Sequence, residues 1–150
     1  MNPFVVAVER ILLTTWVGGL WITGYLVVPS LFAGLDSRRL AGELAGDLFT
    51  RLGWIGMVCG VLLLVLLWVR CGRGSAREWR AWVLVAMLAI VGVGLFVLQP
   101  QMQALKAQGI VAGGVQAVEF GRLHGISSAF YLVNSVLGLL LVAAGTRPPR

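Results

Sequence analysis

The sequence predicts an all-α integral membrane protein: a four-helix bundle with a short amphipathic helix between its first two spans. Three observations carry that expectation. Of the 150 residues, 59% are hydrophobic and only 12% charged, with mean hydropathy +0.91. Soluble domains carry about 25% charged residues, so too little polar surface is left here to cover a water-soluble globule. Four apolar runs also reach the roughly 18 residues that cross a ~30 Å hydrocarbon core as a helix. Finally, the alternation that a spanning barrel requires is absent, whereas a helix satisfies its backbone groups within one segment. At this length the chain makes one domain, residues 1–150.

The first span covers about residues 4–28 and is interrupted near its start by Glu9 and Arg10. Arg10 can snorkel to the headgroups. Glu9 has less reach, and either pairs with a nearby basic residue at the interface or marks a site, as ionisable groups at membrane depth do. The run has no basic stretch before it and exceeds a signal peptide's apolar core, so it is expected to persist as a membrane helix. Thr15, Trp16, Trp21, Thr23 and Tyr25 give it an unusual polar-aromatic content. Trp21 and Tyr25 share a face suited either to a pocket wall or to interfacial packing. Pro29 is expected to end or bend this helix.

From Leu40 a stripe of Leu40, Leu44, Leu48 and Leu52 runs beside Arg39, Glu43, Asp47 and Arg51, both at four-residue spacing. That is an amphipathic helix with ion pairs on its wet side, placed on the membrane or over the outer mouth of the bundle. The second span follows at 52–69, the third at 81–98 and the fourth at 123–144. Trp54 and Trp68 bracket the second, and Trp79 and Trp82 open the third, as interfacial anchors do. Pro100 is expected to end or kink the third span, and Gly109, Gly113 and Gly114 loosen the chain before the fourth. The pairs Gly56/Gly60, Gly121/Gly125 and Thr14/Gly18 are small-residue spacings that let helices approach closely, within a bundle or between copies.

The net charge of +6 does not point to nucleic acid. The basic residues sit mostly at the ends of apolar runs, and no basic-aromatic face or nucleic-acid-binding motif is present. Arg70, Arg73, Arg77 and Arg80 lie between the second and third spans with only Glu78 opposing them, and Arg147 and Arg150 follow the fourth. Counting basic residues favours both termini in the cytoplasm of a multi-pass cell-membrane protein, such as one of the bacterial inner membrane. The expected partners are the lipid bilayer and, through the glycine faces, a second copy or another membrane protein. Cys59 and Cys71 lie in an apolar run and an Arg-rich loop, so they are expected to be free thiols.

His124 is the only histidine. Ser127, Ser128, Tyr131 and Ser135 share its helix face, with Asn134 about a quarter-turn away. A polar stripe on a membrane helix belongs toward the interior or a cavity. His124 then serves as a metal ligand, haem ligand or proton carrier, or more plainly as an interhelical hydrogen-bond donor near the interface. The softer metal donors, Met57, Cys59, Met87 and Met102, do not cluster in sequence; Met57 and Cys59 point to different faces of one helix. No nucleophile–base pair, phosphate loop or paired-cysteine motif is present, so soluble-style catalysis is not expected.

Trp16-Val-Gly-Gly followed by Val28-Pro-Ser-Leu-Phe32 resembles the first-helix signature of the DUF4149 group, which includes relatives of transmembrane protein 205. Ala41-Gly-Glu-Leu-Ala-Gly46 with Phe49 resembles its amphipathic segment. Phe120-Gly-Arg-Leu-His124-Gly-Ile-Ser127, then Asn134, resembles its last-helix signature. The resemblance implies a four-helix membrane domain without an assigned activity. It also implies a more distant likeness to the copper-resistance protein D membrane domain, and relatives linked to platinum-drug resistance. It makes His124 and Asn134 the positions to watch, with Trp16 and Pro29 as structural elements.

Three functions follow. The first is a non-enzymatic protein that binds or moves a small solute or soft metal ion such as copper. The second is a haem-binding or redox subunit using His124, in which bis-histidine ligation would need a dimer. The third is a structural subunit docked through its glycine faces. The residues expected at the site are His124, Ser127, Tyr131 and Asn134.

Overall fold

A computed structural model describes residues 3–72, 74, 78–110 and 113–144. Four helices long and apolar enough to cross a membrane run through it: α1 (Pro3–Gly34), α2 (Arg38–Cys71), α3 (Trp79–Ala107) and α4 (Val115–Ala144). Packing proceeds around a ring, α1 against α2 and α4, and α3 against α2 and α4. The protein is therefore an all-α, multi-pass membrane bundle. Its surface is inverted relative to a soluble protein, with Ile22, Leu26, Val58, Val69, Phe96 and Leu132 turned outward, where lipid replaces water.

The helices extend past the apolar runs that predict them. Pro29 and Pro100 stop neither α1 nor α3, because each follows a π-helical turn, Thr23–Val27 before Pro29 and Gly94–Leu98 before Pro100. Proline lacks an N–H and collides with the carbonyl four residues back. A turn bonded over five residues moves that carbonyl out of its way and lets the helix resume. The two turns lie 71 residues apart (23 to 94), as do the prolines (29 to 100). The same offset relates Phe49-Thr-Arg-Leu52 to Phe120-Gly-Arg-Leu123, and it pairs the buried residues Leu13 with Leu84, Trp16 with Met87 and Leu52 with Leu123. The chain is thus two similar helix pairs, α1–α2 and α3–α4, packed against each other.

The amphipathic segment is helical, as its four-residue repeat predicts, but it is the first part of α2 rather than a separate helix. Ser37 caps it, its Oγ accepting from the Leu40 N–H at 3.3 Å. At about 1.5 Å per residue the 34-residue helix is ~51 Å long, well beyond a ~30 Å core. Its orientation also differs from the leucine-stripe expectation. Ala41 and Ala45 are buried, while Leu40 and Leu44 are exposed. Small side chains let this stretch approach its neighbours closely, and the bulkier leucines turn outward. Of the expected ion pairs, Arg39–Glu43 forms at 2.9 Å on the exposed face.

Trp16 is fully buried at the centre of the core, with Leu13, Leu20, Leu63, Met87 and Leu141 around it. Gly56 and Gly60 of α2 make that possible, since a Cβ on either would run into the indole. The Gly121/Gly125 pair and Gly18 meet nothing within 4 Å, so those spacings are not used inside the bundle. Cys59 is buried and Cys71 partly so, and both are free thiols. Arg73, Arg77, Arg147 and Arg150 lie outside the described residues.

At the end of the bundle that carries the chain termini, Glu9 is buried against two arginines. Its Oε2 accepts from Arg70 Nη1 at 2.5 Å and its Oε1 lies 3.4 Å from Arg80 Nη1. One carboxylate thereby ties α1 to α2 and α3, while Arg10 is exposed. A void of about 20 Å³ beside the three side chains leaves room for roughly one water. Of the two readings of Glu9, the arrangement fits the partnered one.

Candidate functional site: a cavity between the helices

Toward the other end the helices leave between them a partly open cavity of about 1110 Å³. The π-turns of α1 and α3 face into it through Gly24 and Tyr25 and through Gly94 and Leu95. Its floor is formed by Trp16, Leu20, Leu52, Val91 and Asn134, and its mouth carries Arg38, Arg39, Glu43, Lys106 and His124. Along α4 the ten residues from Asn134 to His124 measure ~15 Å, so the cavity is elongated along the helix axes.

The four residues singled out in α4, His124, Ser127, Tyr131 and Asn134, all line this one cavity. They contribute differently. His124 is exposed at the mouth, its ring stacked on Phe120 with centroids 6.1 Å apart and planes 8° apart. Ser128 does not use its hydroxyl in the cavity; Oγ donates to the His124 carbonyl at 2.9 Å. Ser135 likewise donates to the Tyr131 carbonyl at 2.9 Å. Tyr131 reaches across to α1, where its hydroxyl donates to the Leu20 carbonyl at 2.5 Å. A Cβ at Gly24 would collide with the Tyr131 ring, so this glycine opens the path for the bond. Phe49 packs edge-on against the same ring at 5.0 Å. Replacing Tyr131 with phenylalanine should keep the ring contacts, lose the bond and cost about 1 kcal/mol, read as a lowered melting temperature in detergent.

Asn134 is the unusual member. It is 2% exposed, and its Oδ1 is buried with no hydrogen-bond partner among the described residues. An unmatched buried amide costs about 1–3 kcal/mol, and the large majority of buried side-chain polar atoms find a partner.

Charge at the mouth is unbalanced. Arg39 is matched by Glu43. Lys106 donates only to a neutral carbonyl, that of Gly42 at 3.4 Å, and sits 5.7 Å over the Phe120 ring. Neither Lys106 nor Arg38 has a carboxylate partner among the described residues. Sequence reading missed both residues as site candidates. They lie in segments 68 residues apart (38 to 106), and only the folded bundle brings them to one rim.

The metal donors are not gathered. Met102 and His124 line the cavity, whereas Met87 and Cys59 are in the central core and Met57 packs against it. Among the described residues no three histidine, cysteine, aspartate or glutamate side chains form a group that could hold a metal ion. Tyr25 lines the cavity, and the Trp21 ring lies 4.7 Å from it, tilted by 34°.

Comparison with known proteins matches one family, described as a domain of unknown function, DUF4149, over residues 11–111. The match takes in α1 from Ile11 onward, α2, α3 and both π-turns, and ends before the His124 block of α4. No curated protein and no solved structure matches the chain. Since the match spans about two thirds of the sequence, the chain belongs to the DUF4149 family.

Proposed function

We propose that this protein is a non-enzymatic membrane protein that binds a small, largely apolar solute in the cavity between its four helices. The observation that carries the reading is the cavity of about 1110 Å³ between the helices, which brings His124, Ser127, Tyr131 and Asn134 to one lining. Ligand sites are concave, mostly apolar, and carry a few placed polar groups, and this cavity combines aromatic walls, Phe49, Phe130 and Tyr131, with Ser127 and His124. In this reading the whole chain acts as one four-span domain. Both termini are cytoplasmic, as the Arg-rich connection between α2 and α3 favours, so the cavity opens toward the outer face. Copper or haem held through His124 is less well supported, because the other soft donors are dispersed.

Gly94 supplies the control. It lines the cavity and a Cβ there meets nothing within 4 Å, so the side chain of Gly94→Phe leaves the backbone into open space. Native mass spectrometry of protein released from maltoside micelles should show a small-molecule adduct on the wild type. Gly94→Phe should retain that adduct at least tenfold less, equivalent to about 1.4 kcal/mol. The same adduct at equal occupancy in wild type and Gly94→Phe, or no adduct on either, would overturn the reading.

A further inference from the structure

We propose that the bundle is a carrier seen with its cavity open to one side, and that the Glu9–Arg70–Arg80 contact belongs to a thin gate closing the other. The inference rests on the solute-binding reading above and adds translocation to it. Three observations locate the gate. The cavity reaches nearly through the bundle. Along α1 only seven residues (9 to 16) separate Trp16, in its lining, from Glu9 at the end that carries the termini, ~10 Å of helix. Within that distance residues of all four helices, Leu13, Leu63, Leu84 and Leu141 among them, close around a void of about 20 Å³.

This closure is made between the two repeats. Gly60 of α2 receives Trp16 and Leu88, and Gly138 of α4 receives Val17 and Met87. Trp16 and Met87 are repeat equivalents, as are Val17 and Leu88, 71 residues apart in each case (16 to 87, 17 to 88). So are Glu9 and Arg80 themselves (9 to 80), which approach to 3.4 Å. The barrier therefore lies where the helix pairs α1–α2 and α3–α4 meet, and tilting one pair on the other parts it without unfolding either. An ion contact suits such a gate, because buried charges regain hydration when parted.

The hinges are in place as well. The π-turns Thr23–Val27 and Gly94–Leu98 break α1 and α3 at equivalent positions, just on the cavity side of the barrier. Paired helix breaks of this kind mark the site about which repeat-built transporters rock, and a helix bends most readily at a π-turn or a proline. The segments beyond the turns, which carry Phe32 and Lys106 in the cavity lining, can then close the mouth as the gate opens.

Paired nitroxide labels on the full-length protein in lipid nanodiscs read both ends, with Cys59 and Cys71 changed to serine. Val69→Cys with Ala143→Cys spans α2 to α4 at the end carrying the termini, and Leu40→Cys with Val118→Cys spans them at the mouth; all four positions are exposed. Wild type should give one dominant distance for each pair. Glu9→Gln, which keeps an acceptor for Arg70 but not the charge, should raise a minor population with a longer 69–143 distance about tenfold. The 40–118 distance should shorten in the same fraction. Arg80→Gln leaves the Glu9–Arg70 bond in place; it should shift both distances the same way by less, and serves as the test if Glu9→Gln does not fold. Adding Gly94→Phe to Glu9→Gln should prop the mouth open and return both distances to wild-type values. Unchanged distances in the gate variants, or lengthening at one end without shortening at the other, would make the contact a fastening only and overturn the carrier. Either result leaves the solute-binding reading standing, because that reading fails on the adduct of Gly94→Phe and not on these distances.

Discussion

Replacing Glu9 with leucine is expected to destabilise the protein by about 3–5 kcal/mol, the cost of removing one partner from a buried ion pair. The carboxylate is the acidic member of the Glu9–Arg70–Arg80 contact, where all three side chains are 17% exposed or less. Its loss removes the carboxylate that Arg70 and Arg80 both approach at the junction of α1, α2 and α3. Glutamine should recover part of the loss, since its amide oxygen can still accept from Arg70, but it cannot balance the charge. Thermal unfolding in detergent, followed by size-exclusion chromatography, would order the proteins wild type, Glu9→Gln, Glu9→Leu. A Glu9→Leu protein as stable as wild type would show that the contact contributes nothing to the bundle.

Trp16→Ala should have the next largest effect, about 3 kcal/mol. In water-soluble cores such a truncation costs about 3–5 kcal/mol, a sum of lost transfer free energy and the cavity left behind. Within a bilayer the unfolded helix is already in hydrocarbon, so the transfer term shrinks and the lost packing remains. The loss should be severe because Gly56 and Gly60 have no side chains with which to fill the vacated space. Adding bulk on α2 should compensate. Gly56→Leu alone collides with the indole, whereas Gly56→Leu in the Trp16→Ala background should regain part of the stability. Melting temperatures for the four proteins of that cycle measure the coupling directly.

Hydropathy made the four spans legible, because only apolar stretches of membrane length satisfy lipid. The helix ends were not legible, for a specific reason. Pro29 and Pro100 carry stop signals that hold for an α-helical turn, and the π-turns before them lift the clash. No residue type announces such a turn, although the 71-residue repeat shared by Tyr25-Leu-Val-Val-Pro29 and Phe96-Val-Leu-Gln-Pro100 was available to suggest equivalent geometry. The leucine stripe misled in the same way. In water the larger apolar side chains turn inward, but in lipid the alanines at 41 and 45 make the closer interface.

Of the candidate site, the α4 stripe was legible by helical spacing, and its members line one cavity. The rest depends on tertiary packing. Glu9 meets Arg70 and Arg80 across 61 and 71 residues (9 to 70, 9 to 80), and Lys106 meets Arg38 only at a rim formed by different helices. Glycine spacing was equally mute about use, since Gly56/Gly60 receive an indole while Gly121/Gly125 face open space.

Fluorescence quenching of Trp16 tests the central claim of a solute-binding interior most directly. The protein has six tryptophans, and the other five, Trp21, Trp54, Trp68, Trp79 and Trp82, are all exposed, so changing them to phenylalanine leaves the buried indole at the cavity floor as the reporter. Brominated laurate added in maltoside micelles should quench it saturably, and Gly94→Phe should abolish the saturable part. Quenching that rises linearly and is unchanged by Gly94→Phe would mean that the amphiphile reaches Trp16 only from the surrounding micelle, and would contradict the account.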